Sequence, residues 1–566
     1  MKKSLLVLLS VIVLVIFFGP IKLKANSDGF EKVYCEATIE DEFIDNQILV
    51  VVGKEKSLNY YDFKNSDFIN IGCINIEDLT ASRKEEVLAR VNGEDNNINL
   101  DTFRRILLLT LNKNDKQNVL DCIKKLEKRD DIKGAEPNYC DTIIDESTEE
   151  TSIQTRSSNV PSYTTSQDGQ IGNWSISKIS LDQAWVLENS IDDLNEVNVV
   201  IIDEGVDAMP NGCSDENHAG HPELIGVVDT INSHYFKDEE IQDDSFFDHN
   251  DENVICDYIP ALDDMFGHGT FIAGIIAAKN DGYGIRGVSK TANILSYKIY
   301  RESEDNNIGR SNGIQAIIEA SNIEGNVVIN YSYGYTNSNS LAEYTAISNF
   351  NGLLVCSAGN IRNNIDSNPI YPGSYDLDNI ITVGASGKND AIWTGEYSGS
   401  NYGAVSVDLF APGEDIVSTL PYRDNYLMGQ DIGIDGYKMG SGTSYAAPYV
   451  AGVASMIWSR YPNLSALDVK DRILSNVDYV YDSNNNSVFS GKCVTGGRLN
   501  AYKAYIGEHT HSFGYLNYDN NYHTKECNSC YYFKKEAHLW RPVSLRAVPV
   551  LPGLRRCTLC GAEKFV

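Results

Sequence analysis

Three side chains in this sequence stand at the ends of well-marked elements and together could carry out nucleophilic acyl chemistry. The run Asn198-Val199-Val200-Ile201-Ile202 reads as a buried strand, and it ends in Asp203 just before the turn residue Gly205. In Gly267-His268-Gly269-Thr270-Phe271-Ile272-Ala273-Gly274, an imidazole opens a helix of small and apolar residues. In Gly440-Ser441-Gly442-Thr443-Ser444-Tyr445-Ala446-Ala447-Pro448, a serine stands at the start of the apolar helix 449–458, where the helix dipole favours developing negative charge. Pro448 fits there because a first helical turn has no amide donors to lose. A serine hydroxyl is a weak nucleophile until a base takes its proton; histidine can do so near neutral pH, and a carboxylate holds the imidazole in the right tautomer.

The elements that must bring these groups together are those of an alternating α/β chain. From about 174 to 505, β-branched strands alternate with small-residue helices, which marks a sheet covered on both faces. The chain order is Asp, His, Ser, and the serine lacks the second glycine of a Gly-x-Ser-x-Gly elbow. Eight of the nine histidines fall elsewhere: His218, His221, His234 and His249 in an irregular acidic stretch, and His509, His511, His523 and His538 in the C-terminal tail.

On these three motifs the chain resembles the subtilisin-like serine proteases, the subtilases. Further matching segments are 174–185, His221-Pro222-Glu223-Leu224, Tyr371-Pro372-Gly373-Ser374-Tyr375, Val407-Asp408-Leu409-Phe410-Ala411-Pro412-Gly413 and Gly497-Arg498-Leu499-Asn500-Ala501. The resemblance implies an α/β fold of three layers around a mostly parallel central sheet. It also implies a serine endopeptidase in which Ser444 attacks, His268 shuttles the proton and Asp203 orients His268. Asn360, ending Val355-Cys356-Ser357-Ala358-Gly359-Asn360, corresponds to the oxyanion donor beside the Ser444 amide. Ser332-Tyr333-Gly334 and Ser357-Ala358-Gly359 correspond to the two segments that pair with a peptide substrate docked as an added strand. The loop 279–285, with Asp281, resembles a calcium loop, and Glu223 matches another calcium ligand position; a plain surface loop is the alternative.

The chain departs from the family's pattern at four positions. Glu204 stands where the family has Thr or Ser, Tyr333 where it has Leu, Phe271 where it has the second His of His-Gly-Thr-His, and Tyr445 where it has Met. None removes a catalytic group, but Tyr333 and Tyr445 border the site and bear on substrate preference.

The rest of the 566 residues divides around this region. Lys2, Lys3, an apolar run over 5–18 and Ala25 form a secretory signal over 1–25, with an uncleaved anchor as the alternative. Residues 26–143 carry strand patterns at 48–52 and 103–111, a helix pattern over 118–128 and an extended edge over 132–139. This segment resembles the ferredoxin-like propeptide of the family, an intramolecular inhibitor and folding aid; an unrelated binding domain is the alternative. Residues 144–172 read as a linker holding the processing site, 173–506 as the peptidase domain with a surface insertion over 209–264, and 507–566 as a Cys/His-rich module. In that module, Cys527-x-x-Cys530 and Cys557-x-x-Cys560 have the pair spacing of a zinc knuckle, in a compartment that equally permits disulfides.

A net charge of −32 argues against nucleic acid as a partner, because such binders use clustered cations. The expectation is therefore a secreted, extracellular monomer, self-processed from a zymogen and acting on peptides or proteins. It has no membrane span after signal removal and needs no cofactor for its chemistry. Two rival readings are a non-catalytic binding protein on this scaffold, which a missing triad member would mark, and a hydrolase working through a metal in the tail.

Overall fold

The computed structural model describes residues 32–92, 100–140, 173–208, 220–236, 262, 264, 267–282, 284–299, 309–335, 339–421 and 436–507, and the backbone of six short strands between 513 and 565. The signal segment, the linker 144–172 and most of the insertion lie outside the described residues.

In the N-terminal segment, strands β1 (Phe43–Val52), β2 (Cys73–Asp78) and β3 (Ile106–Leu111), helix α1 (Lys116–Leu126) and strand β4 (Ile132–Tyr139) follow one another, with shorter helices between. The four strands form an antiparallel sheet in the order β2-β3-β1-β4. Both faces of β1 are apolar, and each has its own partner. Ile48, Val50 and Val52 pack with Val119, Ile123 and Leu126 of α1, whereas Leu49 and Val51 join the core of the following domain. The β3 strand begins at Ile106, later than the pattern over 103–111 implies; just ahead of it the Arg105 guanidinium binds Asp78 at 2.6 Å.

The second domain is built on β5 (Val197–Asp203), α2 (His268–Ala277), β6 (Ala292–Lys298), α3 (Ser311–Ala320), β7 (Val327–Tyr331), α4 (Leu341–Ser348), β8 (Leu353–Ser357), β9 (Ile380–Ser386), β10 (Leu409–Pro412) and α5 (Thr443–Arg460). A parallel sheet runs in the order β10-β9-β8-β7-β5-β6 and ends in the two-residue strand His234–Tyr235. The layers follow from period-two alternation along β5. Val199 and Ile201 face a core shared with α2 and α5, while Val200 and Ile202 face one shared with α3 and α4. This is the three-layer α/β arrangement, with its parallel strands buried on both faces.

Chain direction reverses at β5. From β5 the chain passes through α2 to β6 on one side, then through α3 over to β7 on the other, and continues outward to β10. The carboxyl ends of β5 and β7 therefore flank a topological switch point, the place where open α/β sheets form binding crevices.

Part of the stretch expected as a surface insertion is packed into the body. His221, Glu223, Leu224 and Val228 are buried, and so is Asp264. The His221 ring places Nε2 2.9 Å from the Gly436 carbonyl and accepts the Glu223 N–H at 3.2 Å through Nδ1; burial holds it neutral, with its pKa lowered to about 4. Carboxylate-rich composition hid these contacts, because apolar periodicity is absent from a segment that packs through single residues.

Behind the sheet, Glu188 is buried at the end of the helix Leu181–Glu188, 4.0 Å from an Arg286 guanidinium that lies over Trp185. Burial pushes its carboxyl from 4.5 up to about 7. The native state thus holds this proton longer than the unfolded chain does. The resulting stability is complete below pH 4.5 and is lost as pH rises through about 7. Urea unfolding at pH 5 and pH 8 should show wild type losing up to about 3 kcal/mol more than Glu188→Gln over that interval. Equal slopes for the two proteins would contradict this.

Candidate active site

Asp203 is the last residue of β5 and is 1 % exposed. His268 begins α2, and glycines make the close approach of the two elements feasible: a Cβ on Gly269 would lie 1.9 Å from the Gly205 carbonyl oxygen. The imidazole Nδ1 accordingly sits 3.1 Å and 3.0 Å from the two oxygens of the Asp203 carboxylate. Asp264, just ahead of α2, receives the N–H groups of Gly267 (2.7 Å) and Thr270 (2.8 Å) and the Thr270 hydroxyl, which fixes the start of that helix.

Ser444 occupies the first turn of α5, which starts at Thr443 rather than at 449 as its apolar run implies. Pro448 therefore lies inside the helix, and its role differs from the one expected. Having no N–H, it leaves the Ser444 carbonyl without its helical donor. The Ser332 hydroxyl fills that place at 3.1 Å, and the Ser444 hydroxyl donates back to the Ser332 carbonyl at 3.3 Å. Ser332 is itself held by the Asn330 side-chain amide at 2.9 Å. The end of β7 and the start of α5 are thus stitched together at the candidate nucleophile. The Tyr445 ring, one residue on, has its centroid 5.8 Å from that of His268.

Asn360 follows β8 and is 4 % exposed. Its Oδ1 accepts the Thr443 N–H at 2.9 Å and the Thr443 hydroxyl at 2.8 Å, and the same hydroxyl accepts the Gly359 N–H at 3.0 Å. That pairing orients the amide, so its NH2 points the other way. The Asn360 Nδ2 is buried and has no hydrogen-bond partner among the described residues. An oriented, unpaired donor beside a helix N-terminus is suited to a developing oxyanion. The segments 332–334 and 357–359 leave the adjacent parallel strands β7 and β8. Tyr333 and Gly334 are half-buried, while Ser332, Ser357, Ala358 and Gly359 are buried. Cys356, on β8, has its thiol pushed up to about 12 by burial and serves as inert packing.

Of the four departures from the family's pattern, Tyr333 and Tyr445 stand beside the imidazole, Glu204 binds the His268 main chain and Phe271 backs Tyr445. Glu204 Oε1 accepts the His268 N–H at 2.7 Å. The Tyr333 ring centroid lies 5.7 Å from that of His268 on an inclined plane, and Phe271 packs on Tyr445 at 4.1 Å. Burial, followed by the neighbouring Asp264 and Asp203 carboxylates, pushes the Glu204 carboxyl well above the usual range; burial likewise raises Asp264. Thr443, Asn330 and Asp264 escape sequence reasoning because each acts by holding another site residue: Thr443 orients Asn360, Asn330 holds Ser332, and Asp264 fixes the start of the His268 helix. Ser or Thr before the nucleophile and an acid ahead of the histidine helix were the signals at hand.

Glu223 lies apart from this cleft, against the loop that carries Asp281. Gly284 (φ +52°) approaches so closely that a Cβ there would fall 1.9 Å from both Glu223 Oε1 and the Tyr437 hydroxyl. Tyr437 donates to that oxygen at 2.7 Å, while Glu223 Oε2 is buried without a partner among the described residues. Burial, with help from Asp281, raises the Glu223 carboxyl to about 7. A buried, orphaned carboxylate oxygen facing a second acid fits a hard cation. Among the described residues, no group of three or more His, Cys, Asp or Glu side chains gathers as a metal cluster. In the tail, Cys530 and Cys560 lie outside the described residues, and only backbone is described for Cys527 and Cys557.

The subtilase family profile matches residues 195–496. The chain is 34% identical over 222 residues to subtilisin DY of Bacillus licheniformis, covering 38% of this chain and 72% of that protein. It is also 34% identical over 242 residues to thermitase of Thermoactinomyces vulgaris, covering 42% and 74%. In fold it is similar to the crystal structure of fervidolysin from Fervidobacterium pennivorans, with a TM-score of 0.55 at 20% identity over 92% of this chain and 72% of that one. With the profile spanning more than half of the 566 residues and two relatives largely covered, the chain belongs to the subtilase family and is a serine-type endopeptidase.

Proposed function

We propose that this chain is a secreted zymogen whose triad is Asp203, His268 and Ser444, with Asn360 as oxyanion donor. The observation that carries the reading is the buried Asn360 Nδ2, oriented by Thr443 and lacking a partner, next to a nucleophile whose base is already held by Asp203. As the Ser444 oxygen bonds to the substrate carbonyl carbon, His268 takes the hydroxyl proton, and the carbonyl oxygen gains charge facing Asn360 and the Ser444 N–H. Collapse breaks the C–N bond, and the amine leaves with the proton from His268. Water then attacks the acyl-enzyme and gives its proton to His268, which returns it to Ser444 as the acid leaves. The segments 332–334 and 357–359 pair with the peptide backbone. No step needs a metal; Glu223 and Asp281 are assigned to a calcium ion that stiffens the fold.

Residues 26–143 act as the propeptide, 144–172 hold the processing site, 173–506 form the peptidase domain and 507–566 a separate module. Support for the propeptide role comes from its docking. The Glu136 carboxylate accepts the Ser340 hydroxyl and the N–H groups of Leu341 (2.8 Å) and Ala342 (3.0 Å) at the start of α4. Asn138 exchanges two hydrogen bonds with Ser311 at the start of α3. Secretion rests on the signal over 1–25; among the described residues, no helix is long and apolar enough to cross a membrane.

A fluorophosphonate should label wild type at Ser444, and Ser444→Ala should stay full-length while wild type cleaves itself between 139 and 173. An unlabelled wild type, or a mutant that still matures, would overturn the reading. Asn360→Ala should cut kcat by about 10²–10³ with KM little changed, the loss known for an oxyanion donor in subtilisin. Chelation should lower the melting temperature of wild type, and Glu223→Gln should abolish the response to added calcium. Identical melting of both proteins with and without chelator would remove the calcium assignment.

A further inference from the structure

The Tyr333 hydroxyl donates a hydrogen bond to Asp203 Oδ1 at 3.2 Å. That oxygen also accepts the Glu204 N–H at 2.8 Å and faces His268 Nδ1 at 3.1 Å, whereas Oδ2 faces His268 Nδ1 at 3.0 Å and no other donor among the described residues. The phenol is therefore a third donor on one oxygen of a buried carboxylate. Its ring also stands beside the imidazole, with Tyr445 as a second aromatic neighbour. The side chain that a sequence reading assigns to substrate contact turns inward to the acid behind the histidine.

We propose that Tyr333 is a positioning residue for the Asp203–His268 pair: it fixes the carboxylate and draws off part of the negative charge that otherwise stabilises the imidazolium. This rests on the triad reading above. A hydrogen bond to an ionised carboxylate is among the strong ones, and it competes with the Nδ1–H for the same electron density. The phenol thus makes the imidazole a weaker proton holder, which keeps it free to act as a base at lower pH.

The other charged and titratable groups near the pair come from each surrounding element. Glu204 follows β5, and Asp264 leads into α2; burial raises both carboxyls above the usual range, and each is already bonded to the start of α2. Asp207 is buried further along the same turn, its N–H bound to Thr270. Lys298 is the β6 register partner of Asp203, and its ammonium lies 5.9 Å from the Tyr235 ring centroid. Tyr331 packs beside Tyr333 with centroids 6.1 Å apart, and Tyr445 comes from α5. Among the described residues outside the pair itself, only Tyr333 donates a side-chain hydrogen bond to Asp203.

Tyr333→Phe removes the hydroxyl and keeps the ring. Fluorophosphonate titration counts competent Ser444, and kcat, KM and the acid limb of kcat/KM are then measured per labelled site on one peptide. The expected result is a fall in kcat of roughly three- to tenfold, with KM held within about twofold. The acid limb should move to higher pH by about half a unit. A merely structural role would lower the labelled fraction and leave the limb in place. Fluorotyrosine at 333, a stronger donor of the same shape, should move the limb to lower pH and covers the case of a poorly folded Phe variant. Unchanged limbs in both proteins, with wild type labelled normally, would overturn this inference and leave the triad reading intact; an unlabelled wild type would overturn the triad reading itself.

Discussion

The geometry around the candidate nucleophile rests on one stitched contact, the exchange of hydrogen bonds between Ser332 at the end of β7 and Ser444 in the first turn of α5. It exists because Pro448 cannot donate to the Ser444 carbonyl, so the helix offers a free acceptor at the residue that must be held. The contact fixes the helix N-terminus against the sheet edge at the candidate nucleophile itself. With it, Thr443 is placed to orient Asn360, and Tyr445 comes to rest beside His268.

The sheet supplies the frame for this contact. Parallel strands buried on both faces carry little side-chain polarity except at their carboxyl ends, and there Asp203, Asn330 and Ser332 appear. Because the chain leaves β5 and β7 in opposite directions, helices α2 and α5 can approach the gap between them from different parts of the sequence. Glycines at 205 and 269 then let β5 and α2 close to van der Waals distance. Both faces of β1 are used as well, so the N-terminal sheet contributes Leu49 and Val51 to the core behind α3 and α4. The buried Glu136 and Asn138 anchor that sheet by polar contacts at two helix starts, where unpaired N–H groups are available.

The charges around the imidazole show how this chain tolerates three acids in one place. Asp264 and Glu204 are spent on backbone N–H groups of the histidine helix, and burial holds their carboxyls above the ordinary range. Asp203 is the acid bonded directly to the histidine ring. Aromatic side chains at 333 and 445, the latter backed by Phe271, stand beside that ring and give it a drier setting than polar ones would.

By itself, the sequence determined the alternation of strands and helices, the reactive residues at their ends and their order along the chain. Those properties are local: an apolar run ending in Asp203, a glycine-flanked His268 and a small-residue helix after Ser444 are visible within a dozen residues. It was less informative wherever packing used isolated residues, as with His221 and Asp264 inside an acidic stretch. The tertiary structure alone decided which way Tyr333 turns, which end of the Asn360 amide is left unpaired and what replaces the missing donor at Pro448. Each of these depends on a partner more than eighty residues away, brought near only when the crossovers at β5 and β7 close, and no periodicity along the chain encodes such a meeting.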